Sequence, residues 1–136
     1  MAVDVQNLRP RPADQQPADV DQVALKAYRR LVETWGLSND EAAALVDAPD
    51  RTWGRMKKPG WSGRLSQDQR LRLSALVGLY KGLHLYFSEA LADRWIRLDN
   101  DGPLFRGATP LRHMIDGGLP AILQTRTYVD ALRGGV

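Results

Sequence analysis

The sequence contains no cysteine, and its 136 residues include only two histidines, His84 and His113. The lack of cysteine excludes disulfides and removes the thiolate as a nucleophile or a metal ligand. Two separated histidines are too few for most zinc sites, and they offer few ways to pair a nucleophile with a base. We interpret His84 as a packed or hydrogen-bonded side chain and His113 as a surface residue, and we expect no catalytic residue, metal or other cofactor.

Long hydrophobic runs are also absent. No apolar stretch reaches the roughly 18 residues that cross a bilayer, and the N-terminus, MAVDVQNLRPRPADQQ, has no apolar core of a signal peptide. We therefore expect a cytoplasmic protein without a membrane partner. A glycine-rich phosphate loop, an HExxH motif and a Rossmann fingerprint are missing as well. These absences predict that the chain is not an enzyme and has no small-molecule substrate.

The net charge is only +3, but the basic residues are concentrated in the middle of the chain. Residues 51–72 hold seven basic side chains and one acidic side chain, Asp68, whereas residues 1–50 hold five basic and nine acidic ones. Such a local surplus favours a polyanionic partner. Taken alone, it fits a solvated basic loop equally well.

Helical periodicity runs through the chain from residue 19, and no long segment alternates with the period of two that indicates a strand. Residues 1–18, rich in Pro, Gln and Asp, predict a flexible tail. Capping boxes at Ser38–Glu41 and Ser66–Gln69 mark two helix starts. The expected helices cover residues 20–35, 39–46, 51–57, 67–86, 89–98, 110–116 and 120–133.

The longest of these helices carries two apolar stripes, which predicts that it is central and packed on both sides. One stripe includes Leu73, Leu76 and Leu83. The other runs from Leu71 to Tyr86.

Residues 39–58, NDEAAALVDAPDRTWGRMKK, have the pattern of a helix-turn-helix. Ala43 is small where the two helices come closest, and Asp47 stands in the turn, where aspartate tolerates a left-handed backbone. The predicted inner faces consist of Ala42, Val46, Ala48, Trp53 and Met56.

The outer face of the second helix of this pattern is basic. Arg51, Arg55 and Lys58 recur at i, i+4 and i+7, with Thr52 beside them. In a helix-turn-helix this helix enters the major groove, where arginine pairs with guanine. Lys57, Lys58 and Arg64 are better placed for phosphates. The alternative is a plain helical hairpin with a basic surface.

Several motifs follow one another over roughly residues 20–135. They are Arg51-Thr-Trp-x-Arg55, Leu65-Ser66, Leu79-Tyr-Lys-Gly-Leu-His84, Ala92-x-x-Trp95, Asn100, Phe105-x-Gly107-x-x-Pro110-Leu111, and a closing helix with Tyr128 and Leu132. Their order resembles the Xre/MbcA/ParS antitoxin family. Glycine is usual in the turn where this chain has Asp47, and relatives often carry a larger residue at position 54, where this chain has Gly54.

The resemblance implies an all-α fold with an N-terminal Xre-like helix-turn-helix, a long central helix and a small C-terminal toxin-binding region. We expect a flexible tail at 1–18, a DNA-binding module at 19–65 and the toxin-binding region at 66–136. The implied partner is a RES-domain toxin that consumes NAD or ADP-ribosylates a target, whose active site the antitoxin blocks. The other implied partner is operator DNA of its own operon, bound by a homodimer because such proteins commonly read two half-sites.

The candidate toxin-binding residues lie in the C-terminal half. Asn100 and Phe105 belong to a segment that resembles the family. The last helix adds Arg126, Tyr128, Leu132 and Arg133, because tyrosine and arginine are enriched at interface hot spots. The alternative is a helix that only caps the bundle.

Two other functions remain open. One is a stand-alone transcriptional regulator whose C-terminal helices serve dimerisation. The other is an interaction module with a vestigial DNA-binding surface.

Overall fold

The structure is a computed structural model that describes residues 17–134, and every regular element in that range is a helix. This confirms the all-α prediction. None of these helices is both long and apolar enough to span a bilayer. In chain order the elements are α1 (Pro17–Trp35), α2 (Asn39–Val46), α3 (Asp50–Met56), α4 (Gln67–Tyr86), α5 (Glu89–Arg94), a 3-10 turn (Trp95–Arg97) and α6 (Pro110–Arg133).

The first helix begins earlier than the sequence predicts. α1 starts at Pro17, before the expected first turn at Asp19. Proline is well tolerated there, because the first N–H groups of a helix have no partner within the helix to lose. Residues 1–16 of the predicted tail lie outside the described residues.

Both predicted capping boxes are present. The hydroxyl of Ser38 accepts the Glu41 N–H at 3.1 Å, and the hydroxyl of Ser66 accepts the Gln69 N–H at 3.0 Å. Each N3 side chain accepts the N–H of its serine at 2.9 Å. These local bonds fix where α2 and α4 start.

Two other boundaries differ slightly from the prediction. Pro49 rather than a side-chain acceptor precedes α3, so Asp50 lies inside the first turn of that helix. The helix expected to reach Leu98 ends as α5 at Arg94 and continues only as the 3-10 turn. The start of α3 differs by one residue, within the usual uncertainty of helix ends, whereas α5 ends four residues early and only the 3-10 turn carries the helical backbone on to Arg97.

The two C-terminal helices of the sequence prediction form one kinked helix, α6. The kink lies at Gly118, whose φ of 67° and ψ of −152° are not helical. Glycine adopts positive φ at little cost, and Pro120 follows within the next turn. α6 runs beside α4 in the same direction, because Gly118 lies near Arg72 and Arg126 lies over Gly78.

α4 is the centre of the fold and packs between α1 and α6. Leu73, Leu76 and Leu83 are fully buried, as the first apolar stripe predicts. The second stripe is buried in its middle, but Leu71 and Tyr86 at its ends are 44% and 47% exposed. The prediction that α4 is central and packed on both sides is confirmed, although the second stripe is left uncovered at both ends of the helix.

Arg97 ties the 3-10 turn to the N-terminal helices. Its guanidinium donates to the carbonyl oxygens of Trp35 at 3.1 Å and Gly36 at 2.8 Å. It also donates to Glu41 Oε1 at 2.8 Å. This bond and the serine cap hold the pKa of Glu41 below its usual value.

Candidate functional site

The α2–α3 hairpin has the geometry that the sequence predicts. Asp47 adopts the left-handed conformation, with φ 56° and ψ 55°, and its N–H bonds back to α2 carbonyls. Ala43 and Val46 are buried, and Trp53 and Met56 are buried on the facing side of α3. The hairpin is therefore a helix-turn-helix with an aspartate in the turn position.

Trp53 anchors α3 on the rest of the domain. Its side chain is 2% exposed, and its ring meets Tyr28 of α1 edge-on at 5.5 Å. The Tyr28 hydroxyl donates to the Ala42 carbonyl at 2.7 Å. Burial raises the pKa of Tyr28, so the phenol keeps the proton that makes this bond.

Arg29 fixes the far end of the same helix. Its Nε donates to the Met56 carbonyl and its Nη2 to the Lys58 carbonyl, both at 2.9 Å. The last carbonyls of a helix have no partner within the helix, and a cation there is favoured by the helix dipole. Sequence reasoning missed this contact, because the two residues lie on different helices.

The outer face of α3 is basic and open. Arg51 and Arg55 are exposed, and Thr52 is half-buried between them. Lys57 and Lys58 follow at the end of the helix and are exposed, and Lys57 Nζ donates to Asn39 Oδ1 at 3.3 Å.

Arg64 lies in the exposed loop that follows α3. The carboxylate of Asp21, which is fully buried, fixes the position of that loop through hydrogen bonds. Asp21 accepts the Leu65 N–H at 3.0 Å and the Arg70 guanidinium at 2.7 Å. The Arg70 bond and the Leu65 N–H lower the pKa of Asp21, although its burial acts in the opposite direction.

Two of the seven basic residues of the 51–72 segment serve the fold. Arg70 pairs with Asp21, and Arg72 pairs with Asp68 at 2.6 Å. Arg72 also reaches the carbonyl oxygens of Ala44 and Leu45 at the end of α2. The charge available to a polyanion is therefore carried by Arg51, Arg55, Lys57, Lys58 and Arg64.

The candidate toxin-binding residues separate into two groups. Asn100 closes the loop before α6, because its Oδ1 accepts the Gly102 N–H and its carbonyl accepts the Gly107 N–H, both at 2.8 Å. Beneath that loop, Phe105 is 3% exposed and its ring meets Tyr128 at 5.2 Å. The structure thus brings Asn100, Phe105 and Tyr128 together, with Phe105 in the core and not at the surface.

The remaining candidate toxin-binding residues are Arg126, Leu132 and Arg133. Arg126 lies over Gly78 of α4, where its guanidinium occupies the space that a Cβ would take, and pairs with Asp130 at 3.8 Å. Leu132 is half-buried near the end of α6. The side chain of Arg133 lies outside the described residues.

The histidines are both in side-chain contact with other residues. His84 Nε2 lies 2.7 Å from Asp93 Oδ1 and links α4 to α5, as the prediction of a hydrogen-bonded histidine requires. His113 is half-buried and its ring packs on Phe105 at 5.4 Å. The prediction of a surface histidine is wrong there, because the aromatic cluster covers the ring. Among residues 17–134, no group of three His, Asp or Glu side chains could hold a metal.

Comparison with known proteins identifies the helix-turn-helix. Residues 14–78 match the family described as the antitoxin Xre-like helix-turn-helix domain. An uncharacterized protein of Sinorhizobium fredii, y4oB, is 40% identical over 113 residues, which cover 82% of this chain and 84% of that protein. The chain therefore carries an Xre-like antitoxin helix-turn-helix domain and belongs to the same family as y4oB. The domain supports a role in a toxin–antitoxin system or as a helix-turn-helix regulator.

The Xre-like match covers the basic hairpin completely. It includes α1, α2, α3 and the loop that holds Arg64, and it ends within α4 at residue 78. Every candidate DNA-binding residue therefore lies inside the Xre-like domain, whereas every candidate toxin-binding residue lies beyond the match.

Sequence reasoning missed an exposed apolar patch at the end of α4. Leu85, at the end of α4, is 69% exposed, and Tyr86 beside it is half exposed. The Tyr86 ring meets Phe87 at 4.6 Å, and Phe87 stacks on Trp95. The patch is thus continuous with the cluster that holds Phe105. Its only signal in the sequence was an apolar stripe running up to the end of a helix.

Proposed function

We propose that this Xre-like protein is the antitoxin of a type II toxin–antitoxin system. It binds a RES-type toxin that consumes NAD or ADP-ribosylates a target, blocks the toxin's active site, and represses its own operon through α3. It acts by binding and carries out no reaction of its own. The observation that carries the proposal is the exposed basic face of an anchored α3 within an Xre-like antitoxin domain.

The DNA-binding part of the proposal rests on how α3 is held. Trp53 and Arg29 fix the helix from its inner side and from its end, so Arg51 and Arg55 are presented on a rigid element. In this motif the residues of the second helix reach base edges in the major groove. Lys57, Lys58 and Arg64 supply contacts to phosphates, which add affinity without sequence information.

The toxin-binding part rests on the C-terminal surface. Leu85 and Tyr86 form an exposed apolar patch, and its burial against a partner would be favourable because it removes apolar surface from water. Because α6 runs in the same direction as α4, its end with Leu132 lies toward that patch. We assign toxin binding to residues 66–136 and DNA binding to residues 19–65.

A co-expression experiment tests the toxin. The chain is co-expressed with the product of its neighbouring gene, which the proposal requires to be a RES-domain protein, and cell growth and co-purification are measured. We expect growth to recover and the two proteins to elute together. Continued toxicity with both proteins present and folded would rule out neutralisation.

The second candidate is a stand-alone regulator whose C-terminal helices serve dimerisation. The basic face of α3 favours it equally, since operator binding needs no toxin. A gel-shift titration of the purified chain on its own upstream region, combined with the co-expression result, separates the two functions. Tight operator binding together with no effect on the toxin would favour the stand-alone regulator.

A further inference from the structure

The loop between α3 and α4 contains no helix, yet its backbone is fixed at several points. Residues 58–65 read KPGWSGRL. Exposed loops with two glycines are commonly mobile, because few contacts hold their backbone. In this loop, separate contacts hold the beginning, the middle and the end.

Helix α1 holds both ends of the loop. The Lys58 carbonyl at its beginning accepts two hydrogen bonds, from Arg29 Nη2 at 2.9 Å and from the Trp61 N–H at 3.1 Å. The Leu65 N–H at its end donates to the buried carboxylate of Asp21 at 3.0 Å. Asp21 and Arg29 are about 12 Å apart along the axis of one helix, so α1 sets the separation of the two ends.

The ring of Trp61 holds the middle of the loop. Trp61 is half-buried and packs against the hydrophobic core. A Cβ built on Gly63 would overlap the Trp61 ring, which therefore lies directly on this glycine. Only glycine fits at position 63 while the ring stays in place.

The loop carries two exposed cations, Lys58 and Arg64. Each lies three residues from Trp61, one before it and one after it. Because the backbone between them is held, the two charges are presented at a fixed separation before a partner arrives. A partner then does not have to order this segment when it binds, which favours affinity.

We propose that residues 58–65 form a preorganised second DNA-contacting element, which binds backbone phosphates beside the groove that α3 enters, and that Trp61 is its positioning residue. The proposal rests on the proposed DNA-binding function and adds the residue that sets these phosphate contacts. Trp61 acts on the DNA only through Lys58 and Arg64. The loop supplies affinity and orientation, whereas α3 supplies sequence recognition.

Titration of the full-length chain on two duplexes tests the role of Trp61. One duplex carries the chain's own upstream region, and the other has the same length and a scrambled sequence. For Trp61→Ala we expect binding to both duplexes to weaken by about five- to tenfold, because the two long side chains then have to be ordered on binding. Trp61→Phe should restore most of the affinity. A loss confined to the upstream duplex would mean that α3 was disturbed, and would overturn this role.

The loop offers a matched pair of glycine variants. A Cβ at Gly63 displaces the Trp61 ring, whereas a Cβ at Gly60 meets no atom within 4 Å, and neither glycine has a positive φ. Gly63→Ala should therefore bind DNA as weakly as Trp61→Ala, and Gly60→Ala should bind as the wild type does. Circular dichroism confirms that each variant is folded at the temperature of the titration. Equal affinities of the two folded alanine variants would overturn the proposal.

A double-mutant cycle separates positioning from a structural role. Lys58→Ala with Arg64→Ala should reduce the dependence of log affinity on log salt concentration by about two, one for each phosphate contact. In that background Trp61→Ala should have no further effect, since it acts through the two charges. A further loss of affinity there would overturn the proposal, because the tryptophan would then contact DNA itself or serve the fold alone.

Failure of this inference is distinguishable from failure of the proposed function. A wild-type chain that binds the upstream duplex, with a folded Trp61→Ala variant that binds it equally well, would overturn the inference alone. A wild-type chain that binds neither duplex would overturn both the inference and the DNA-binding part of the proposed function.

Discussion

A few buried side chains determine how α3 is presented. Trp53, Tyr28 and Arg29 connect it to α1, and none of these contacts is local in sequence. The sequence predicted that Trp53 is buried, because it falls on the inner apolar face of the hairpin. It gave no signal for Arg29, whose partners are backbone carbonyls on another element.

Truncation of Trp53 should be costly for the fold. Trp53→Ala leaves a large cavity between α1, α2 and α3, and we expect a loss of about 3–5 kcal/mol in the free energy of unfolding. Urea denaturation followed by circular dichroism measures it. Trp53→Phe, which keeps an aromatic ring, should lose less. A Trp53→Ala protein with an unchanged midpoint would show that the tryptophan is not a core residue.

Asp21 makes stability depend on pH in the acid range. Its pKa is lowered in the folded protein, so the unfolded chain takes up a proton first as the pH falls. The stabilisation is complete above the unfolded value of about 4 and is lost as the pH falls through the lower folded value. Glu41, whose pKa is also lowered, acts in the same range.

Asp21→Asn tests this assignment. Loss of a hydrogen-bonded charge should lower the free energy of unfolding by about 1.5–3 kcal/mol at neutral pH. The gap between wild type and variant should shrink below about pH 4. Urea titrations at a series of pH values give both curves. Parallel curves down to acid pH would assign the acid sensitivity to other carboxylates.

At the scale of elements, local signals predicted the hairpin well. The capping boxes, the small Ala43 and the left-handed Asp47 are all readable from neighbouring residues, and all are present. The separation of the candidate toxin-binding residues was also readable in principle. Arg126 and Tyr128 are two positions apart, about 200° around a helix of 3.6 residues per turn, so they could not share a face.

The exposed face of α3 should carry operator binding. Arg51→Ala with Arg55→Ala removes two candidate base contacts, each worth roughly 1–3 kcal/mol. We expect operator affinity in a gel-shift titration to fall at least tenfold, while toxin inhibition is retained. The control, Arg94→Ala with Arg112→Ala, removes the same charge from exposed sites outside the hairpin. Equal operator affinity in wild type and the α3 variant would mean that α3 does not read the DNA.

Gly54 weakens the helix that it belongs to. A Cβ there would meet no atom within 4 Å, and glycine inside a helix is less favourable than alanine by roughly 0.5–1 kcal/mol. Gly54→Ala should therefore stabilise the protein by about that amount, as thermal melting will show. Gly118→Ala is the opposite control, since φ at Gly118 is 67°. Gly118→Ala should lower the melting temperature. A lower melting temperature for Gly54→Ala would contradict the conclusion that a Cβ at position 54 meets no neighbouring atom.

At the scale of the whole molecule, the hydrophobic pattern of the sequence predicted which segments are helical. It did not predict which residues pack against each end of a helix. The apolar stripe of α4 predicted burial at Leu71 and Tyr86, and both are exposed. Periodicity reports which side of a helix is apolar, whereas the positions of the neighbouring helices around each turn decide how much of that side is covered. The division at residues 65 and 66 stays a prediction.

The end of the chain should matter for neutralisation. Deletion of residues 126–136 would remove Val129, which is fully buried, and would therefore test folding as much as binding. Deletion of residues 131–136 keeps Val129 in place. We expect this shorter chain to keep its circular dichroism spectrum and operator affinity while losing toxin inhibition. Full inhibition by the folded, shortened chain would place toxin binding at the Asn100 loop or at Leu85 and Tyr86.

The 20 residues of α4 measure about 30 Å along the axis, since each adds roughly 1.5 Å. The helix begins where Gln69 bonds to the turn of the hairpin and ends at Tyr86. A duplex held at the first end and a protein held at the second are separated by about the width of a small domain. The two ligands would therefore bind different surfaces of one chain and would not compete for the same residues. Any influence of one on the affinity for the other has to be thermodynamic linkage carried by a shift in the fold or by a second copy.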